Sequence, residues 1–149
     1  MKIKAVFGNN EEIPSKYTAD GKNVNPNLII SNIPENAESL VLIVDDPDAQ
    51  RVAGFTWIHW VVFNIPVSEP VVIKENSIPG VPGSGTSNNK GYRGPSPPVE
   101  SGVHHYYFKI YALDKMLDLK EGVKLEEVKK EMENHILEKT ELVGLYSRN

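Results

Sequence analysis

The chain has 149 residues, a formal net charge of −4 at neutral pH and no cysteine. That length suffices for one domain with its own hydrophobic core, and the missing thiols exclude disulfides, thiolate catalysis and cysteine-based zinc sites. A mildly acidic surface without a basic block gives no means of tracking a phosphate backbone, so nucleic acid is not an expected partner.

The N-terminal MKIKAVFGNN lacks the apolar run of a signal peptide. No later stretch approaches membrane-spanning length, so the expected setting is the cytoplasm, without stable membrane insertion. Residues 2–7 (KIKAVF) alternate charged and apolar side chains, as a half-buried edge strand does, and such an edge leaves monomer and homodimer both open. From 8 to 26 the chain is broken by Ile13-Pro14, Asp20-Gly21 and Asn25-Pro26 and reads as a long ordered surface excursion. Residues 27–33 (NLIISNI) form a second short strand.

Residues 39–46 (SLVLIVDD) are a buried strand, apolar on both faces until two carboxylates arrive before Pro47. Period-2 counting puts Asp46 on the face of Leu40, Leu42 and Val44, and Asp45 on the other. One of the two should enter a pocket, unless Asp46-Pro47-Asp48 is simply a turn whose carboxylates cap backbone amides. Residues 55–65 (FTWIHWVVFNI) are the most hydrophobic strand and are expected at the centre of the sheet. Alternation places His59 with Phe55, Trp57, Val61 and Phe63, either as a neutral core histidine or as a group facing an anion or carboxylate.

After a short strand at 71–73, residues 74–102 are rich in Gly, Pro, Ser and Asn, far longer than an ordinary connection. Its first half, GVPGSGTSNNKG, reads as mobile, whereas Tyr92, Arg93 and the prolines at 95, 97 and 98 argue for rigidity. Residues 103–113 (VHHYYFKIYAL) are the next strand, with His104 and Tyr106 inward and His105 toward solvent. A helix is expected over 124–139, with Leu125, Val128, Met132 and Ile136 on one stripe and His135 near its end, and a last strand over 140–146. The stretch 91–107 (GYRGPSPPVESGVHHYY) organises the rest: glycines permit close main-chain approach, prolines stiffen the loop, and imidazoles and a phenol follow within a few residues.

DPDA (46–49), HWVVFNIP (59–66), GYRGPSPP (91–98), GVHHYYF (102–108) and LVGLYSR (142–148), together with IPSKYTADGKNVNPNL (13–28), resemble the phosphatidylethanolamine-binding protein family in the expected order. The compact form is similar to its bacterial and archaeal YbhB/YbcL-like branch, homologous to Raf kinase inhibitor protein. The resemblance implies one mainly β domain over 1–149: a large central antiparallel sheet packed on a smaller sheet, with peripheral helices. It also implies a cavity for phosphate or phosphorylethanolamine-like anions, lined by Asp46, His59, Pro97, His104 and Tyr106, with Asp48, Trp57 and Gly94 close by. Two departures stand out: Gln50 where the family often has proline, and Ser96 where prokaryotic members commonly have cysteine.

In such a pocket Asp46 would accept a hydrogen bond from His59 or His104, turning the far ring nitrogen toward a phosphate oxygen, while Tyr106 and amides near Gly94 donate. The expected function is non-enzymatic binding of a small phosphorylated anion, with regulation of a kinase or protease partner implied by the resemblance alone. No cofactor, metal or catalytic residue is assigned, because HExxH and GxSxG motifs are lacking. The competing class is a hydrolase or phosphoesterase, metal-dependent through His59, His104 and a carboxylate, or metal-free; a scaffold with a vestigial cavity is the third.

Overall fold

The computed structural model describes residues 1–149. Its elements are β1 (Lys2–Lys4), β2 (Glu11–Glu12), β3 (Leu28–Ser31), β4 (Ser39–Asp46), α1 (Gln50–Ala53), β5 (Trp57–Ile65), β6 (Val71–Ile73), β7 (Val81–Pro82), β8 (His104–Leu113), α2 (Leu125–Met132) and β9 (Ile136–Tyr146). They form a six-stranded sheet in the order β2-β9-β8-β4-β5-β7 and a three-stranded sheet in the order β1-β3-β6. All pairings are antiparallel except β2 with β9.

Every residue of β4 is buried because both of its faces are covered. Leu40, Leu42 and Val44 pack with Trp60, Val62, Phe108 and Ile110 against Leu28, Ile30, Val71 and Ile73 of the small sheet. Val41 and Ile43 lie on the opposite face with Val61, Phe63, Leu125, Val128 and Met132, where α2 packs. Each fully buried aliphatic or aromatic side chain contributes about 1.5–3 kcal/mol, so these two clusters hold the layers together. No helix is long and apolar enough to cross a membrane.

Three expectations are corrected. The centre of the large sheet is β4, flanked by β5 and β8; β5 sits one strand from the edge, covered there by the two residues of β7. The helix ends at Met132 rather than 139: Glu133 turns to extended backbone and Asn134 takes φ 67°. The chain then enters β9, which pairs with β8 from Leu113↔Ile136 to His104↔Tyr146. A ladder of that length satisfies more main-chain groups than another helical turn would, and tertiary pairing overrides local propensity. Ile136 is therefore half exposed, and His135 sits in the turn with Nδ1 2.8 Å from Asp114 Oδ1. Lastly, the stretch read as mobile is tied down, by Gly83 N to Val61 O, Ser84 N to Val123 O and Thr86 N to Ile58 O.

The pairing of β4 with β5 shifts register between Val44 and Asp45, whose partners are Trp60 and Ile58. His59 is the extra residue of this bulge. Downstream, Val61 and Phe63 belong to the α2 side, while Trp60 and Val62 face the small sheet. A bulge leaves one residue unpaired and re-aims the chain, so Trp57 and His59 face the cavity rather than sharing a face with Val61 and Phe63. The alternation expected across the whole strand thus fails here, and again near Asn64, where a second register shift returns Ile65 to the face of Val62.

Candidate functional site

Strand β4 ends where β5 and β8 begin, and the registers Asp46↔Trp57 and Asp45↔Tyr107 bring these ends together. Period 2 then sends Asp46, His104 and Tyr106 to one face, and the bulge adds Trp57 and His59. The result is a cavity of about 310 Å³, closed on one side by Ala49 and by Val52 and Ala53 of α1 and on the other by the loop from Arg93 to Pro98. Asp45 goes to the opposite face, where its Oδ2 meets Lys109 Nζ at 2.8 Å.

The loop is anchored from outside. Gly94 N donates to Asn23 Oδ1 at 2.7 Å, Ala19 N to Pro95 O at 2.9 Å, and the Tyr92 hydroxyl to Tyr17 O at 2.7 Å. A Cβ on Gly94 would collide with the Tyr17 carbonyl, so only glycine permits this approach. From the C-terminal side Arg148 grips Asp20 through Nε at 3.0 Å and a terminal nitrogen at 2.8 Å, and its other terminal nitrogen reaches Pro97 O at 3.3 Å. The surface excursion of residues 8–26 is thus a clamp for the cavity wall.

His104 is fully engaged by the protein. Its Nδ1 lies 2.7 Å from Asp46 Oδ2, and its Nε2 lies 2.9 Å from Ser101 Oγ. Ser101 donates its one hydroxyl hydrogen to Pro98 O at 2.7 Å, so the contact with His104 requires Nε2–H to be the donor. The carboxylate on the other side accepts from Nδ1–H. Asp46 therefore orients His104, not His59, and the second nitrogen holds the loop at Ser101 instead of pointing at a ligand. Asp46 Oδ1 is buried without any partner.

His59 is 5% exposed, with its ring 5.2 Å from that of Tyr106 in an edge-on arrangement. Nδ1 donates to Arg93 O at 2.7 Å, which leaves Nε2 without a protein partner. Burial pushes its proton affinity down, outweighing the opposing pull of the Arg93 carbonyl, Asp46 and Asp45. Tyr106 is buried, its hydroxyl takes no partner from the protein, and burial together with the Asp46 charge pushes its pKa up, so it is a donor. Arg93 is the sole Lys or Arg lining the cavity and is exposed, with no carboxylate within ion-pair distance.

Of the residues expected from sequence, Asp46, Trp57, His59, Gly94, Pro97, His104 and Tyr106 line the cavity. Asp48 does not. Its Oδ2 accepts from both the main-chain nitrogen and Nδ1 of His105, each at 2.7 Å. Burial raises its pKa, but these two bonds outweigh that and hold it below the usual carboxylate value. Of the amides near Gly94 expected to donate to a ligand, that of Gly94 itself is spent on Asn23. Sequence reasoning missed α1 and the roles of Arg93 and Ser101; the cation in GYRGPSPP was the available signal for the first of these residues. Nowhere do three His, Asp or Glu side chains converge in a way that could hold a metal ion, and a metal at His104 would have to displace Asp46 or Ser101.

The fold and the site together define a two-sheet β protein with one cavity built at convergent strand ends under a clamped Gly/Pro loop. The family model for phosphatidylethanolamine-binding protein matches residues 3–147, and the chain belongs to that family. It is 49% identical to a UPF0098 protein of Pyrococcus abyssi, over 99% of this chain and 85% of that one. Among solved structures, a phosphatidylethanolamine-binding protein homologue of Chlamydia trachomatis is 38% identical with a TM-score of 0.89, over 99% of this chain and 97% of that one. Escherichia coli YbcL, described as a member of the mammalian family, has the same TM-score over 99% and 98% of the two chains at 23% identity, a likeness of fold alone.

Proposed function

We propose that the chain is a non-enzymatic binding protein for small phosphate-bearing anions, held in the cavity between β4, β5, β8 and the loop from Arg93 to Pro98. The observation that carries this reading is the meeting, in one cavity, of an unpartnered phenol at Tyr106 and an unpaired guanidinium at Arg93. Ser96, between two prolines, lines the same wall and carries a free hydroxyl. A volume of about 310 Å³ suits a phosphate or a headgroup such as phosphorylethanolamine. Hydrogen bonds to charged groups contribute about 1.5–3 kcal/mol each, so two or three support weak to moderate affinity.

The non-enzymatic reading is supported by Ser101, the hydroxyl nearest a ring nitrogen, which gives its hydrogen to a carbonyl rather than to a base. The test is calorimetric titration of the full chain with inorganic phosphate and with phosphorylethanolamine, in wild type and Arg93→Ala. Saturable one-to-one binding, weakened about tenfold by loss of the guanidinium, supports the reading. Absence of saturable binding at millimolar ligand overturns it.

A further inference from the structure

The cavity presents an acceptor as well as donors. His59 Nδ1–H is committed to the Arg93 carbonyl at 2.7 Å, so the neutral ring offers only a lone pair at Nε2. Asp46 Oδ1, beneath the cavity surface, is buried and has no partner in the protein. A fully ionised phosphate oxygen placed against Nε2 would set lone pair against lone pair. His104 cannot relieve this, since both of its nitrogens are bonded within the protein.

We propose that the cavity takes its anion together with one proton, held between His59 Nε2 and the ligand. This inference rests on the anion-binding reading and specifies the form of the ligand: a singly protonated phosphate monoester, whose P–O–H donates to Nε2. For an anion that cannot hold a proton, the ring itself is protonated and Nε2–H donates. The balance is the same in both cases. One proton from solvent joins an ionised anion and a neutral ring, and no covalent bond to phosphorus forms or breaks.

The groups facing His59 fit this assignment. Asp46 and Asp45 on β4 favour a proton on the ring and Arg93 on the loop disfavours it; His104 on β8, which donates to Asp46 from Nδ1, offsets part of the Asp46 charge. Tyr106 on β8 retains its own proton and cannot supply the missing one. The free ring is kept neutral by its buried setting, and an arriving anion supplies the charge that makes protonation favourable. Affinity for an ionised anion should therefore fall about tenfold per pH unit once both the ligand and the free ring are deprotonated.

The test is calorimetry on the full chain at pH 8 with methyl phosphate, a monoester that is fully ionised there, and, separately, with sulfate, each in two buffers of different ionisation enthalpy. The expected result is uptake of about one proton per anion bound in both cases. In His59→Gln the amide can still donate to Arg93 O, but uptake with sulfate vanishes and affinity loses its pH dependence. Nitrogen chemical shifts of the wild-type His59 ring provide a readout independent of that variant, moving from neutral to imidazolium as sulfate is added. Saturable binding without proton uptake, or with an unchanged ring, overturns the inference and leaves the anion site standing. Absence of saturable binding at every pH overturns the anion reading and this inference with it.

Discussion

His59 and Arg93 hold each other reciprocally: the ring Nδ1 donates to the Arg93 carbonyl at 2.7 Å, and the Arg93 amide donates to the His59 carbonyl at 3.2 Å. One residue of a sheet bulge and one residue of a loop thereby fix both the His59 tautomer and the main chain that carries the Arg93 guanidinium.

The first consequence concerns pH and stability. The folded state holds His59 with its pKa below the ordinary value, so the unfolded chain binds more protons as pH falls through about 6.5. That contribution is present above the unfolded pKa and is lost below it. The midpoint of thermal unfolding should drop between pH 8 and pH 5.5, and His59→Gln should flatten this part of the profile. An equally steep profile in the variant would place the titrating group elsewhere.

Asp46 and His104 form a buried pair, 3% and 1% exposed. Removing one partner strands the other, at a cost of about 3–5 kcal/mol. Asp46→Ala is expected to lose stability in that range on urea unfolding. A loss under about 1 kcal/mol would mean that the pair contributes little to holding the cavity floor.

Tyr106→Phe separates binding from folding. The hydroxyl has no partner within the protein, so unfolding free energy should change by less than about 1 kcal/mol. Phosphate affinity should fall about tenfold or more, since the lost bond is made to a charged ligand. An unchanged affinity in a folded variant would remove Tyr106 from the site.

Gly94→Ala tests the clamp. The added methyl meets the Tyr17 carbonyl, and overpacking of this kind costs about 1–3 kcal/mol. Urea unfolding and amide exchange at Ala19, whose nitrogen bonds Pro95 O, should both report it. A variant as stable as wild type, with unaltered protection at Ala19, would show that the loop does not depend on this approach.

Much of the site was legible because it lies where period 2 holds. Strand β4 matches the expected bounds, and β8 buries His104 and Tyr106 while leaving His105 more open, as alternation requires. The orientation of His59 was not legible, because a bulge inserts one residue without a Gly or Pro marking it in WIHWV. The turn at Asn134 was also hidden: Ile136 continues the apolar stripe of Leu125, Val128 and Met132, and only the long open edge of β8 decides in favour of a strand. Asp48 was assigned to the cavity by motif, yet its neighbour in space is His105, a contact set by sheet register rather than by spacing along the chain. The family resemblance supplied the set of residues; the division of labour among them required coordinates.

The most direct test of the anion cavity is a nitrogen-15 and carbon-13 NMR titration of the full chain with inorganic phosphate. Saturable shifts are expected at the Ser96 amide, the Arg93 side chain and the Tyr106 and His59 rings, fitting one dissociation constant. Saturable shifts confined to the opposite face, around Lys109, Lys129 and Lys139, or the absence of any saturable shift, would contradict the account.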